Sequence, residues 1–152
     1  RSTYQADQLS FFSELVQRCR KDENKIISIH SRKAEREVLD VLEDAFSFKA
    51  ILHWFSGDSN LLDRAVKMGC YFSVNGKMLK SRKIERMLEI VPKNRILLET
   101  DSPFGDTIKS HVESLKMLID GLSPKYVMLA EEIEGILWNN FQDLLCGYEN
   151  LK

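Results

Sequence analysis

At 152 residues the chain is long enough for one domain with a real core, since chains of this size bury about 70% of their unfolded surface. Its 22 Lys and Arg stand against 23 Asp and Glu, a formal net charge of −1. That balance argues against wrapping long duplex DNA by general electrostatic attraction, which needs a basic surface. Cys19, Cys70 and Cys146 are an odd number without short spacing. They fit no disulfide framework or zinc ribbon and suit a reducing cytoplasm, the expected location. No apolar run approaches the ~20 residues of a membrane helix, and Arg1 to Asp7 lacks the apolar core of a signal peptide.

No linker or low-complexity tract divides the chain, so residues 1–152 read as a single domain. Gln5 to Arg20 places Leu9, Phe12, Leu15, Val16 and Cys19 at helical spacings. Ile26 to His30 is compact and β-branched, a strand. Ala34 to Phe46 is helical, and Ala50 to Trp54 is a second strand. A helix around Asn60 to Met68 stops at Gly69. Tyr71 to Asn75 is a third strand, Lys83 to Ile90 a helix ended by Pro92, and Arg95 to Asp101 the fourth strand. Two helices close the pattern, Thr107 to Leu122 and Lys125 to Leu145, divided by Ser123 as N-cap and Pro124 in the first turn.

Strands alternating with helices predict an α/β fold with a parallel sheet and right-handed crossovers. Three of the four strands end in a potential metal ligand: His30, His53 and Asp101. Chemistry in parallel α/β folds sits at the C-terminal strand ends, where the βα loops converge. The ligand spacings match one and two βα units, so the three side chains are expected to project into one space. Two imidazoles and a carboxylate suit Zn²⁺ or another first-row divalent ion. Singly, each reads more simply as a structural or surface residue.

Several segments resemble elements of the TatD-type metal-dependent deoxyribonucleases. Ile27-Ser28-Ile29-His30-Ser31-Arg32-Lys33-Ala34 is similar to the family's strand–His–x–Arg–x–Ala element. His53-Trp54-Phe55-Ser56-Gly57 resembles its His-Cys-Phe-Ser-Gly signature, and Tyr71 to Gly76 its next strand. Leu97-Leu98-Glu99-Thr100-Asp101-Ser102-Pro103 is similar to the Leu-Glu-Thr-Asp-Ser/Ala-Pro motif, the most specific of the set. Asn139-Asn140-Phe141 is similar to the family's Asn-rich final helix.

The resemblance implies a (β/α) barrel of TIM type, represented by about four βα units plus C-terminal helices. It implies a hydrolase that uses divalent ions (Zn, Mg or Mn), two in the complete site, to cleave DNA near a strand end. His30 and His53 correspond to ligands of one metal. Asp101 corresponds to a carboxylate that binds the other metal or serves as catalytic base. Arg32 either positions a substrate phosphate by bidentate contact or pairs with a neighbouring Glu on the barrel rim.

The sequence departs from the family in lacking the His-x-His pair and the bridging Glu of the first four strands, and in carrying Trp54 for Cys. Four βα units do not close an eight-stranded barrel, and their sheet edges expose backbone groups. A separate N-terminal half-barrel, a second copy of the chain or a covered edge would each resolve this. Two further functions stay open: a catalytically incomplete interaction module, and hydrolysis of an ester or amide by the same metal chemistry. Glu99 reads first as a hydrogen-bonded structural carboxylate, with support of a metal ligand as the alternative. Trp54 and Phe55 read as buried before they read as stacking platforms. Gly57 suits either a tight turn or a close approach of substrate, and His111 is expected at the surface.

Overall fold

The computed structural model describes residues 2–21, 25–43, 49–102 and 110–146. Among them, strands β1 (Ile26–His30), β2 (Lys49–His53), β3 (Tyr71–Val74) and β4 (Ile96–Leu98) form a parallel sheet in the order β1-β2-β3-β4. Helices α1 (Ser2–Arg20), α2 (Glu35–Glu43), α3 (Ser59–Lys67), α4 (Gly76–Leu79) and α5 (Lys83–Ile90) lie before or between the strands, and α6 (His111–Tyr126) and α7 (Ala130–Cys146) follow them. Sequential strands that are also spatial neighbours, each pair joined through helix, are the βα units of a barrel wall.

Local chemistry sets the boundaries. Asp58 caps α3 by accepting from the Leu61 N–H at 3.0 Å. The chain leaves that helix through Gly69 at φ 76°, where a side chain would be strained. Asn75, expected within the third strand, instead ends β3 and caps the short α4 by accepting from Met78 N–H at 3.0 Å. β4 is shorter than expected at both ends. Pro92 starts a 3-10 turn over Lys93–Arg95, closed by Arg95 N–H to Pro92 carbonyl at 2.9 Å. Glu99 to Asp101 lie past its last residue, Leu98, with Asp101 turned to φ 48°.

The break expected at Ser123-Pro124 falls later. α6 runs through Pro124, which lies in its last turn and removes one i→i−4 bond from the helical ladder. The stop comes at Val127 in the left-handed region (φ 53°), its N–H bonded to the Ser123 carbonyl. The Ser123 hydroxyl donates to the Met128 carbonyl rather than capping a new helix. Phe46 and Thr107, expected helix ends, lie outside the described residues.

Because side chains alternate across a strand, the sheet has two distinct faces. Ile29, Leu52, Phe72, Val74 and Ile96 enter one large core with Val38, Leu39 and Leu42 of α2, Leu62 and Ala65 of α3, and Ile84 and Met87 of α5. Burying each large side chain of this kind contributes about 1.5–3 kcal/mol. The alternate residues carry a smaller cluster, Tyr71 and Leu97 with Leu144 of α7. The same parity gives that face His30, His53, Ser73 and Glu99.

Two polar devices fix α7. Asn140, 2% exposed, donates from its amide to the carbonyls of Lys93 and Ile96, each at 2.7 Å. The Lys49 ammonium caps the helix end, reaching the carbonyls of Asp143 at 2.5 Å and Leu144 at 2.7 Å.

Candidate metal centre

Parallel register places His30 of β1 directly opposite His53 of β2, and His53 opposite Ser73 of β3. The two imidazoles stand with ring centroids 5.2 Å apart. An ion about 2.1 Å from a ring nitrogen lies roughly 3.2 Å from the ring centre. Two rings around one tetrahedral ion are therefore separated by about 5.2 Å, the spacing found.

His53 is held at both nitrogens. Nδ1 lies 2.5 Å from Glu99 Oε2, and Nε2 lies 3.0 Å from Asp101 Oδ1. Glu99 is itself fixed by the Ser73 hydroxyl and by the Asn75 amide at 2.9 Å. Asn75 is fully buried and spends its other side-chain atom on α4, so the cap of that helix and the carboxylate share one residue. Burial raises the Glu99 pKa above the usual carboxylate value; the Ser73 and Asn75 hydrogen bonds and the neighbouring His53 work against that shift, and Asp101 adds to it.

The donor chemistry of this array fits a cation. If Nδ1–H donates to Glu99, a neutral His53 turns its Nε2 lone pair toward the Asp101 carboxylate. Two lone pairs 3.0 Å apart repel unless a proton or a metal ion lies between them. A carboxylate behind one nitrogen and a metal at the other is a recurrent way to orient a ligating histidine. As placed, no three His, Cys, Asp or Glu side chains among the described residues converge closely enough to chelate one ion. Asp101 rests on His53 itself, and His30 is exposed a ring's width away. The residues fit as a partial donor set.

These residues open onto a cleft of about 770 Å³ lined by His30, Arg32, His53, Trp54, Lys77 and Asp101. Arg32 is exposed, and it meets no acidic side chain among the described residues. The rim Glu takes other partners: Glu35 Oε1 accepts from the Ser56 hydroxyl at 2.5 Å. Trp54 and Asp101 both have positive φ, 46° and 48°. A non-glycine residue in that region costs of order 1–3 kcal/mol and persists where its surroundings impose it, often at functional sites.

Phe55 is buried as expected, packed edge-to-face on Phe72 with centroids 5.9 Å apart. Trp54 is half-buried and borders the cleft. A Cβ on Gly57 would come within 2.6 Å of the Phe55 ring, so packing against its own turn requires the glycine. His111 is exposed at the start of α6.

Sequence reasoning left Ser73, Asn75 and Lys77 out of the site. Ser73 and Asn75 share strand parity, and β3 neighbours the strand that leads to Glu99. That juxtaposition was the available signal. Lys77 needed α4, a four-residue helix without a periodic pattern.

The chain matches a family model described as TatD related DNase over residues 1–146. An uncharacterized metal-dependent hydrolase from Buchnera aphidicola is 35% identical over 101 residues, covering 64% of this chain and 38% of that protein. The deoxyribonuclease Tat-D of Schizosaccharomyces pombe is 33% identical over 86 residues, covering 55% of this chain and 28% of that protein. Among solved structures, a TatD homologue from Escherichia coli superposes with a TM-score of 0.71 at 23% identity, over 87% of this chain and 52% of that one. A TatD-family hydrolase from Entamoeba histolytica gives 0.77 at 17% identity, over 90% and 56%. The chain thus spans about half or less of the proteins it matches, and the structural likeness is one of fold.

Proposed function

The chain belongs to the TatD-related DNase family, and we propose that it carries the C-terminal part of a metal-dependent phosphodiesterase acting near the end of a DNA strand. The observation that carries this reading is His53 held between Glu99 at 2.5 Å and Asp101 at 3.0 Å, at the mouth of a cleft.

In this reading His30 and His53 hold a divalent ion of the Zn, Mg or Mn class, and a complete site takes two. When bound, such an ion supplies Lewis acidity at a phosphoryl oxygen and makes water acidic near neutral pH. The protein's own groups do the rest. Glu99 fixes the tautomer and ring orientation of His53. Asp101 either adds a ligand or accepts the proton of the attacking water. Arg32 pairs with a non-bridging phosphate oxygen and orients the diester.

The test is hydrolysis of single-stranded DNA by the purified chain in Mn²⁺, Mg²⁺ or Zn²⁺, beside His30→Ala. Hydrolysis that falls with the substitution supports the reading. A well-folded chain with no His30-dependent hydrolysis, in any of the three metals, refutes it for this polypeptide.

One observation favours a second component. The Tyr71 and Leu97 side of the sheet borders a groove of about 870 Å³ walled by Val112, Leu115, Trp138 and Phe141, and these four are exposed apolar side chains. β1 and β4 are the edges of the sheet among the described residues. We infer that this face receives further strands of the barrel, whether from a separate N-terminal half-barrel or from a second copy. A native mass of one chain at micromolar concentration removes the second-copy form.

A further inference from the structure

The cleft is lined by two chemically different groups: His30, His53 and Asp101, and beside them an indole and a cation, Trp54 and Lys77. Trp54 follows His53 directly in the chain. The Trp54 backbone is held at φ 46°, a conformation that bulky side chains avoid. One part of the ring packs against the large core and another lines the cleft. The Lys77 ammonium stands over the ring, 5.7 Å from its centroid, within cation–π range, so a base that stacks there takes its place and turns it toward a phosphate. Arg32 enters the same cleft from the loop after β1.

A nucleotide presents what these groups accept: a flat π-face beside a singly charged phosphate. Every base has such a face, so stacking on an aromatic ring tolerates sequence. A small ester or an amide offers neither feature. Resting on the phosphodiesterase reading above, we propose that Trp54 is the stacking platform for the base flanking the scissile phosphodiester, with Lys77 pairing the adjoining phosphate. The cleft then selects a base-bearing strand end over other substrates of the same metal chemistry.

The experiment compares an oligothymidylate with an oligonucleotide of equal length whose terminal positions are abasic, in Mn²⁺. For the wild-type chain KM is about tenfold lower for the base-bearing strand, the effect of one stacked base. Trp54→Ala erases that difference, and Trp54→Phe retains most of it. A loss confined to kcat, or an equal preference in wild type and Trp54→Ala, overturns the proposal.

A second readout needs no turnover and no substitution of the residue in question. Trp54 is one of two tryptophans, so a Trp138→Phe chain reports its fluorescence alone. Oligothymidylate quenches that emission and the abasic strand does not; equal response to both overturns the proposal. If neither strand is cleaved but the quenching is base-dependent, the stacking site stands and the phosphodiesterase reading falls.

Discussion

His53 Nδ1 lies 2.5 Å from Glu99 Oε2, and this contact spans the width of a strand, from β2 past Ser73 of β3 to the residue after β4. Three consecutive strands thus cooperate on one imidazole. The arrangement explains why Glu99 is tolerated in a largely buried position: it accepts from Ser73, Asn75 and His53 at once. It also makes Glu99 a positioning residue, acting on chemistry through His53.

Glu99→Gln keeps the shape and lets the amide bond to Ser73 or Asn75, but removes the charge that orients His53. It is expected to weaken divalent-ion binding by roughly 10–100-fold. Calorimetric titration with Zn²⁺ or Mn²⁺ checks this. Unchanged affinity in a folded variant means Glu99 is structural alone.

Gly57→Ala forces a Cβ to within 2.6 Å of the Phe55 ring, whose own position is set by Phe72. The expected loss is about 1–3 kcal/mol from overpacking. Urea denaturation measures it, and Phe55→Leu is expected to relieve part of it because the two sites share the contact. Additive losses would contradict the steric account.

Asn140→Ala leaves the part-buried carbonyl of Lys93 and the buried carbonyl of Ile96 without their amide donor. A cost of about 2 kcal/mol is expected, read as a lower urea midpoint. A change under about 0.5 kcal/mol would place α7 independently of this bond.

Cys70 is 1% exposed, and burial pushes its thiol from an ordinary 9.0 up to about 11, opposed by the nearby Arg95. A folded-state pKa raised above the unfolded one makes the group's contribution to stability complete below pH 9. That contribution is lost as pH rises toward 11. Wild type is therefore expected to lose stability relative to Cys70→Ala across that window, measured by urea midpoints. A constant difference would show the thiol is not protected by folding.

Much of this architecture is legible in the sequence because its signals are local. Ile26 to His30 and Lys83 to Ile90 carry their periods within one element, and both match the observed bounds. His30 and His53 were legible as strand-end residues because parallel βα units bring such positions to one rim, whereas Asp101, expected to end the fourth strand, lies three residues past Leu98. What was hidden depends on contacts across the chain. Pro124 looks like a helix start, but Val127 in the left-handed region ends α6 further on. Glu99 looks structural until Ser73, Asn75 and His53 are seen around it. Asn75 reads as strand and acts as a cap of the four-residue α4, while its amide reaches across the chain to Glu99.

The measurement that tests the central claim most directly is the divalent-metal content of the purified, dialysed chain, wild type beside His53→Ala. The account predicts metal that stays with the wild type and is lost in the variant, both being equally folded by circular dichroism. A folded wild type without metal, or equal metal in both chains, would contradict it.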